Sequence, residues 1–427
     1  MRITILALGS RGDVQPYIHL GKALLDAGHQ VRVATFKAFA SMATAAGLDF
    51  SPIHGDAQAL LQTAAEGNFL NHKANPLQVM RALQKSYGTL AASLPQDLTN
   101  LYDSDLILNQ LPAYLYGGDL AEHLGIPWAV VAVIPLARTR TMPLMGAPSP
   151  LSRLPGFNML TYRLGEQMGW QLFRSSVNRL RTQTWKLPAL PFWGPFNDIY
   201  TKKVPFIYGF SEHVVPRPSD WGSHIQQTGW WYPEDPDWRP SPELQRFIES
   251  GDPPVFIGFG SMPVRDPARI TTLIIEAVRL SGRRAILHAG WAGLGGDLPT
   301  EIFPMTYAPY GWLFPRMAAI VHHGGSGTSG FGFASGVPSI VVPFAFDQLY
   351  WGARAAEMGV GPKPVPFKQL TSERLAGAIH TALSDTGMRQ RAADLGEKLR
   401  SENGVARAVE IINAFPPINP SDEGERK

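Results

Sequence analysis

The amino-terminal part of the chain alternates a short apolar run, an amphipathic stretch and a second apolar run. Residues 2–8 (RITILAL) predict a buried strand, and VRVATF (31–36) predicts the next one. Between them the apolar spacing predicts a helix that starts at Pro16, a residue suited to the first helical position, and that Gly28 closes. A strand, a helix and a strand in this order form a βαβ unit, whose strands run parallel.

The same pattern returns along the rest of the chain. Apolar runs without alternation occupy 105–110, 128–134, 255–259, 284–289, 318–322 and 339–342. Runs of this kind are typical of parallel strands that helices cover on both faces. Helical segments are predicted at 119–125 and from Pro267, where Asp266 is the expected N-cap. Each half opens with a strand that leads into a Gly-Ser turn, so we expect an α/β protein with two Rossmann-like parallel-sheet domains facing each other across a cleft.

The strand pattern lapses between the two halves. Residues 136–200 predict a loop rich in Pro and Met, followed by a helical stretch. That stretch has four apolar residues on one face: Leu160, Leu164, Met168 and Leu172. Pro and Trp without periodicity then crowd 212–254, which predicts a long interdomain connection. The expected parts are domains at 1–235 and 251–405, a linker at 236–250, and a carboxyl-terminal helix and tail at 406–427 that packs back toward the first domain.

Composition narrows the class of protein. The chain has 427 residues, of which 44% are apolar and 17% charged, and this excludes a disordered chain. The formal net charge of +3 is too small to indicate nucleic-acid binding by itself. Cysteine is absent, so disulfides, thiolate metal sites and cysteine nucleophiles are excluded. The longest apolar run, 126–137, falls short of the roughly 20 residues that span a bilayer, and no secretory signal is visible, so we expect a cytoplasmic protein.

The first Gly-rich turn, GSRGDVQP (9–16), follows the first predicted strand. It lacks the spacing G-x-G-x-x-G, and the second strand ends without an acidic residue, so a nicotinamide-dependent dehydrogenase is disfavoured. Asp13 lies just past the carboxyl end of the strand, in the crevice where open α/β sheets carry their chemistry. Asp13 could instead cap the helix that follows, and the local sequence leaves both alternatives open.

A second Gly-rich segment, HHGGSGTSGF (322–331), follows another predicted strand. Glycines and small hydroxyl residues at a strand-to-helix junction point backbone N–H groups outward, and the helix dipole adds positive potential, which suits a diphosphate. No P-loop lysine is present, and His322 is the nearest candidate for the missing positive charge. The alternative is a flexible glycine turn beside ordinary histidines. Because adjacent histidines on an extended segment point to opposite faces, a metal site is disfavoured.

Two polar residues follow the last predicted strand. Asp347 and Gln348 bring a carboxylate and a primary amide together, and this pair of acceptors and donors suits the hydroxyls of a sugar ring. The alternative is that Asp347 only caps a helix.

At these residues the sequence resembles the UDP-glycosyltransferase family of GT-B fold, and within it the sterol 3-beta-glucosyltransferase branch. The resemblance covers nearly the whole chain, and several long motifs occur in the family's order. They are GSRGDVQPYIHLGKAL (9–24), YGFSEHVVPRPSDWG (208–222), PPVFIGFGSM (253–262), YAPYGWLFPR (307–316), HHGGSGT (322–328) and GVPSIVVPFAFDQLYWG (336–352).

The resemblance implies a role for each matching residue. Asp13 matches the catalytic base. Expected donor-binding residues are Gly12, Ser261, Tyr307, His322, Gly325, Ser326, Gly327, Thr328, Asp347 and Gln348. Among them Asp347 and Gln348 match the pair on the sugar hydroxyls, and Tyr307 replaces the Trp that plant members stack on uracil. The resemblance further implies a UDP-sugar as donor substrate, with neither a cofactor nor a metal.

Two departures from plant members bear on these roles. Gly330 stands where they have a Glu for the ribose hydroxyls, which leaves the choice between uridine and thymidine open. No Asp stands near Leu111, where they have the residue that orients their catalytic His, and this agrees with Asp13 acting directly. The nearest polar residues are Asn109 and Gln110.

The implied reaction is an inverting transfer of a hexose, glucose from UDP-glucose, to the hydroxyl of a lipophilic acceptor such as a sterol. Candidate acceptor-binding residues are Met142, Met145, Phe157, Trp170 and Phe173, although each could simply belong to the core. Basic residues in the same segment are Arg163, Arg174, Arg179, Arg181 and Lys186. They are compatible with peripheral contact to an anionic membrane or with an ordinary solvated face.

Other functions remain as alternatives. A transferase of deoxysugars from a dTDP donor, in antibiotic or glycolipid tailoring, is favoured by Gly330. A sugar-nucleotide epimerase would share the two-domain fold but needs acid and base groups flanking the sugar. A catalytically silent binding partner is disfavoured because Asp13 is retained.

Overall fold

The computed structural model describes residues 1–55, 93–94, 96–110, 113–147, 149–232, 237–290, 292–345 and 347–416. They form two compact units. Unit 1 comprises Met1–Glu212, Pro216–Trp231 and the chain from Asn403, and unit 2 comprises His213–Val215 and Tyr232–Glu402. The predicted boundaries near 235, 250 and 405 stay predictions.

Unit 1 contains a seven-stranded parallel sheet. Its strands are β1 Arg2–Leu6, β2 Gln30–Phe36, β3 Asp49–Ile53, β4 Leu106–Asn109, β5 Trp128–Ala132, β6 Phe206–Tyr208 and β7 Ile225–Gln227. Their order is β3-β2-β1-β4-β5-β6-β7, and every neighbouring pair is parallel. The order therefore reverses between β1 and β4, and such a reversal opens a crevice at the carboxyl ends of the strands.

Among the described residues of unit 1, five helices lie fully within the described ranges and precede the last strand. They are α1 Arg11–Asp26, α2 Ala40–Ala45, α3 Tyr114–Leu124, α4 Phe157–Arg179 and α5 Phe196–Thr201. The prediction that α1 starts at Pro16 is wrong, because Ser10 is the N-cap and Pro16 lies inside the helix. Ser10 and Asp13 form a capping box, which begins the helix one and a half turns earlier. At Pro16 the missing N–H removes only one bond of the helical ladder.

Unit 2 contains a five-stranded parallel sheet. Its strands are β8 Val255–Gly258, β9 Ala285–His288, β10 Ile302–Met305, β11 Ala319–His322 and β12 Ser339–Val341, in the order β10-β9-β8-β11-β12. Its helices are α6 Pro242–Glu249, α7 Pro267–Ser281, α8 Tyr310–Leu313, α9 Ser326–Ser335, α10 Asp347–Glu357, α11 Ser372–Ser384 and α12 Thr386–Arg400. Here the order reverses between β8 and β11. The predicted α/β class with two Rossmann-like parallel sheets is confirmed.

Two apolar clusters fill unit 2, one on each face of its sheet. Ile257 and Val321 belong to the cluster under α7 and α11, whereas Phe256 and Ile320 belong to the cluster beside α6 and α8. Successive residues of a strand point to opposite faces, so a strand buried on both sides must be apolar throughout. This is why the continuous apolar runs predicted these strands correctly.

The last described helix, α13 Gly404–Asn413, belongs to unit 1. It packs against α1, and Asn413 Oδ1 lies 2.7 Å from His29 Nε2. Its first residue must be small, because a Cβ atom on Gly404 would lie 2.5 Å from the backbone of Gly229. No helix among the described residues is long and apolar enough to cross a membrane.

One prediction concerns how α9 is held in unit 2. A Cβ atom on Gly396 of α12 would lie 2.7 Å from the backbone of Gly336, the residue that ends α9. We expect Gly396→Ala to lower the free energy of unfolding by about 1–3 kcal/mol, because rigid backbone must shift. The matched control is Gly377→Ala in α11, where nothing lies within 4 Å. It should raise the free energy by about 0.5–1 kcal/mol. Urea unfolding measures both, and equal effects would contradict the prediction.

Candidate functional site

Asp13 lies in the first turn of α1, at the carboxyl end of β1 and beside the reversal of the unit 1 sheet. Its Oδ2 accepts hydrogen bonds from the Ser10 backbone N–H and the Ser10 hydroxyl, each at 2.8 Å. Its Oδ1 accepts none from the described residues. Burial raises the pKa of the Asp13 carboxyl, and the two bonds from Ser10 oppose that rise. The carboxylate therefore caps its own helix with Oδ2, and no hydrogen bond from the described residues uses Oδ1.

Gly9 makes room for this carboxylate. Its φ of +143° lies in the region that favours glycine, and a Cβ atom there would lie 2.5 Å from Asp13 Oδ2. Directly after the neighbouring strand β4, Gln110 Oε1 accepts the Leu8 N–H at 3.0 Å and so holds the chain that follows β1. The sequence analysis did not predict that Gly9, Ser10 and Gln110 hold the loop around Asp13. The spacing S-x-x-D is nevertheless the sequence pattern of a capping box. Leu111 lies outside the described residues.

The second Gly-rich segment forms a helix N-terminus in unit 2. Gly325 is the N-cap of α9, and the first helical bond runs from the Ser329 N–H to the Gly325 carbonyl at 2.9 Å. The N–H groups of Gly327 and Thr328 precede that bond and have no acceptor inside the helix. A Cβ atom on Gly327 would meet nothing within 4 Å. The first turn contains no acidic side chain. Open space, unpaired helical donors and the positive end of the helix dipole together suit an anion.

Close contacts bring three loops of unit 2 together at this helix. The His323 ring lies between two glycines, since Cβ atoms on Gly260 and Gly325 would be 2.7 and 2.6 Å from it. Gly324, with φ of +91°, lies against Gln348, whose backbone oxygen would be 3.0 Å from an added Cβ atom. The loops after β8, β11 and β12 therefore meet at the carboxyl edge of the sheet, where its strand order reverses.

His322 is the last residue of β11, directly before the Gly-rich segment. Its side chain is fully buried, and its Nδ1 accepts the Gly324 N–H at 3.1 Å. Burial, with a smaller contribution from His323, lowers the pKa of His322 to about 3. Burial therefore favours the neutral form of the His322 ring, and the expected contact of His322 with a diphosphate stays a prediction. An accepting Nδ1 also places the proton of the neutral ring on Nε2.

The two polar residues at the start of α10 are used differently. Gln348 is buried, and its Oε1 accepts the N–H groups of Phe344 and Ala345 at 2.8 and 3.3 Å. Its Nε2 donates to the Met262 sulfur at 3.1 Å. Gln348 thus holds the loop after β12, whereas Asp347 is half-buried at the first position of the helix. The amide of Gln348 is committed to protein groups in this structure.

The remaining donor candidates lie on the same edge of unit 2. Ser261 is partly exposed in the turn that follows Gly260. Tyr307 follows β10 with 43% of its surface exposed, so its ring is accessible for stacking. Gly330 is buried inside α9, and its carbonyl accepts the Tyr232 hydroxyl at 3.1 Å.

The acceptor candidates in unit 1 divide into two groups. Trp170 is fully buried and donates its Nε1 hydrogen to the Pro191 carbonyl at 3.1 Å. Phe173 is buried and packs edge-on against Tyr116, with ring centres 6.1 Å apart. Trp170 and Phe173 therefore belong to the apolar core, which was the alternative to acceptor binding. The other three candidates are half-buried: Met142, Met145 and Phe157.

The described residues contain no group of three or more His, Cys, Asp or Glu side chains placed to hold a metal ion. The two adjacent histidines point apart, since His322 Nε2 faces Gly332 whereas the His323 ring faces Gly260.

Comparisons with known proteins identify the family. The Glycosyltransferase family 28 N-terminal domain model matches residues 3–143, and the Erythromycin biosynthesis protein CIII-like C-terminal domain model matches 272–414. The sterol 3-beta-glucosyltransferase UGT80B1 of Arabidopsis thaliana is 34% identical over 99% of this chain and 69% of its own length. The chain belongs to the sterol 3-beta-glucosyltransferase family. The sterol 3-beta-glucosyltransferase of Neosartorya fischeri is 38% identical over 96% of this chain. This chain spans only 29% of the length of that relative.

Solved structures share the fold. The glycotransferase of kitacinnamycin superposes with a TM-score of 0.69 at 19% identity, covering 97% of this chain and 99% of that one. The Streptomyces glycosyltransferase SsfS6, complexed with thymidine diphosphate, gives 0.62 at 20% identity with the same coverage. The expected GT-B fold is confirmed.

A prediction follows from the environment of His322. With its pKa lowered to about 3, the ring should remain neutral from pH 5 to 8 as the Nε2–H tautomer. Long-range ¹H–¹⁵N NMR of histidine-labelled protein reports the tautomer, and His322→Asn identifies the resonance. A His322 shift with a midpoint between pH 5 and 8, or a protonated Nδ1, would contradict the assignment.

Proposed function

We propose that this protein is an inverting glycosyltransferase that moves glucose from UDP-glucose to the hydroxyl of a sterol or a similar lipophilic acceptor. The observation that carries the proposal is the N-terminus of α9, which has no acidic residue in its first turn. The chain's relatives along its length are named sterol 3-beta-glucosyltransferases. A location in the cytoplasm stays a prediction.

In this proposal the diphosphate of the donor binds the N–H groups of Gly327 and Thr328. The positive end of the α9 dipole stabilises the charge that develops on the leaving diphosphate. Burial favours the neutral form of His322, so we assign it the role of accepting the Gly324 N–H, which fixes the position of the loop. Hydroxyls of Ser261, Ser326 and Thr328 add donors, so that neither a metal nor a cofactor is required.

Asp13 is the proposed general base. As the acceptor oxygen attacks the anomeric carbon, Asp13 takes the proton of that hydroxyl, and the nucleotide diphosphate leaves from the opposite face of the sugar. The oxygen of Asp13 that is not used in capping is the proposed proton acceptor. A raised pKa strengthens the carboxylate as a base, and bases of this kind contribute roughly 10²–10⁴-fold to the rate.

Recognition of the donor sugar and base is assigned to three residues. Asp347 accepts hydrogen bonds from sugar hydroxyls, with Gln348 beside it, and Tyr307 stacks on uracil. A thymidine diphosphate donor is the second candidate, supported by Gly330 in place of an acidic residue and by the nucleotide bound in SsfS6. A donor panel of UDP-glucose and dTDP-glucose, assayed by nucleotide diphosphate release with a sterol and with a macrolide as acceptors, decides between them. Release with neither donor would overturn the proposed function.

The role of Asp13 as base is tested by Asp13→Asn. An amide oxygen can still accept the Ser10 N–H, so the helix cap survives while the base is lost. We expect kcat to fall by about 10²–10⁴-fold, with the affinity for UDP unchanged. Single-turnover rates and calorimetric UDP binding measure the two effects. Transfer near the wild-type rate would show that Asp13 only caps the helix.

The pH profile provides a second test. Because the base must be deprotonated and burial raises its pKa, transfer should fall on the acid side at a higher pH than an ordinary aspartate would give. Ser10→Ala removes a hydrogen bond that lowers this pKa, so the acid limb of kcat/KM should move to still higher pH. Ser41→Ala, an exposed serine of the same unit, is the control. An acid limb at the same pH in Ser10→Ala as in Ser41→Ala would contradict the assignment.

A further inference from the structure

The exposed large apolar side chains of the described residues are concentrated in one segment. Seven of the eleven lie between residues 151 and 193: Leu151, Leu154, Leu160, Leu164, Met168, Phe192 and Trp193. Single exposed apolar residues are ordinary on a protein surface, but a contiguous set indicates an interaction surface.

The geometry of α4 makes this set contiguous. Leu160, Leu164 and Met168 are spaced four residues apart and share one face of the helix, whereas Trp170 and Phe173 are buried on the other. The turn containing Phe192 and Trp193 lies beside α4. It is held there because the Gln167 and Gln171 side-chain amides both donate to the Phe192 carbonyl, at 3.2 and 3.0 Å. We name these five apolar residues the α4 ridge: Leu160, Leu164, Met168, Phe192 and Trp193.

The segment 151–193, which carries the α4 ridge, is strongly basic. Residues 151–193 contain six basic residues and a single acidic one, Glu166. Glu166 is neutralised by three hydrogen bonds from Arg138. Arg181 is buried and paired with Asp119 and Glu122, so the expectation that it belongs to a basic surface is wrong.

Five other cations belong to the segment 151–193 that carries the ridge: Arg153, Arg163, Arg174, Arg179 and Lys186. Four of them are exposed, and the Arg174 guanidinium lies over the Phe192 ring, 5.2 Å from its centre.

We propose that the α4 ridge rests on an anionic lipid bilayer, with its apolar side chains below the headgroups and the flanking cations among them. A helix with an apolar face and a basic border lies in the membrane interface in this way, and aromatic residues are enriched at the same depth. Trp193, 68% exposed, is the most exposed of these side chains. The proposal adds a partner to the proposed function and does not depend on it.

Charge favours a lipid surface over a second copy of the chain. In a two-fold symmetric dimer the same patch meets itself, and five cations from each copy would approach one another. An anionic bilayer instead supplies opposite charge along the whole border of the ridge. An ordinary solvated basic face would not carry three aliphatic side chains in a row beside an exposed tryptophan.

The test is sedimentation of the full chain with phosphatidylcholine vesicles, with and without 30% phosphatidylserine. We expect binding to the anionic vesicles, weakened by salt and about fivefold by each neutralised cation, as in Arg163→Gln. Leu164→Asp should weaken it about tenfold or more. The matched control is Leu280→Asp, since Leu280 on α7 has the same exposed fraction of 54% as Leu164.

Several outcomes would overturn the proposal. They are absence of wild-type binding to anionic vesicles at low salt, equal loss in Leu164→Asp and Leu280→Asp, and a dimer that Leu164→Asp converts to a monomer. The last result would assign the ridge to a second copy. Transfer to a sterol delivered on cyclodextrin separates this proposal from the proposed function. Leu164→Asp should retain that activity, whereas vesicle binding by a wild-type chain without transferase activity would overturn the function alone.

Discussion

Contacts that only glycine permits hold the loops of unit 2 at the carboxyl edge of its sheet. The His323 ring fills the space between Gly260 and Gly325, and Gly324 lies against the backbone of Gln348. A Cβ atom at any of these three glycines would meet another atom at 2.7 Å or less. The N-terminus of α9 is therefore held by close packing, with its amides oriented before any ligand arrives. Preorganised donors of this kind need no reorganisation when charge develops on a leaving group.

The two units use the same βα element in opposite ways. At the start of α1, Asp13 supplies its own negative charge to the helix N-terminus through the bonds from Ser10. At the start of α9 no acidic residue is present, so the positive end of the helix dipole is uncompensated by protein groups of its first turn. The first turn of α1 thus holds a carboxylate whose pKa is raised by burial, whereas the first turn of α9 holds no negative charge of its own.

Sequence patterns predicted the sheets better than the helix ends. Strands such as β8 are buried on both faces and are apolar throughout, so they can be predicted without an alternating pattern. The strands β6 and β7 have three residues each and are too short for any period to identify. The true start of α1 was hidden because Pro16 is the stronger local signal, although Ser10 and Asp13 form the box that starts the helix.

The amino-acid sequence alone was enough to predict the α/β class and the family. It also placed Asp13 and the glycine loop directly after their strands, because all of these depend on local pattern and motif. Only the tertiary structure decided which groups are accessible and charged. Burial lowers the pKa of His322, and the fold brings the Gln348 side-chain oxygen to the Phe344 N–H of the preceding loop. For α4 both faces carry apolar residues, and packing alone determines that Trp170 is inside while Leu164 is outside. Burial is a property of what surrounds a side chain, and residues distant in sequence supply those surroundings.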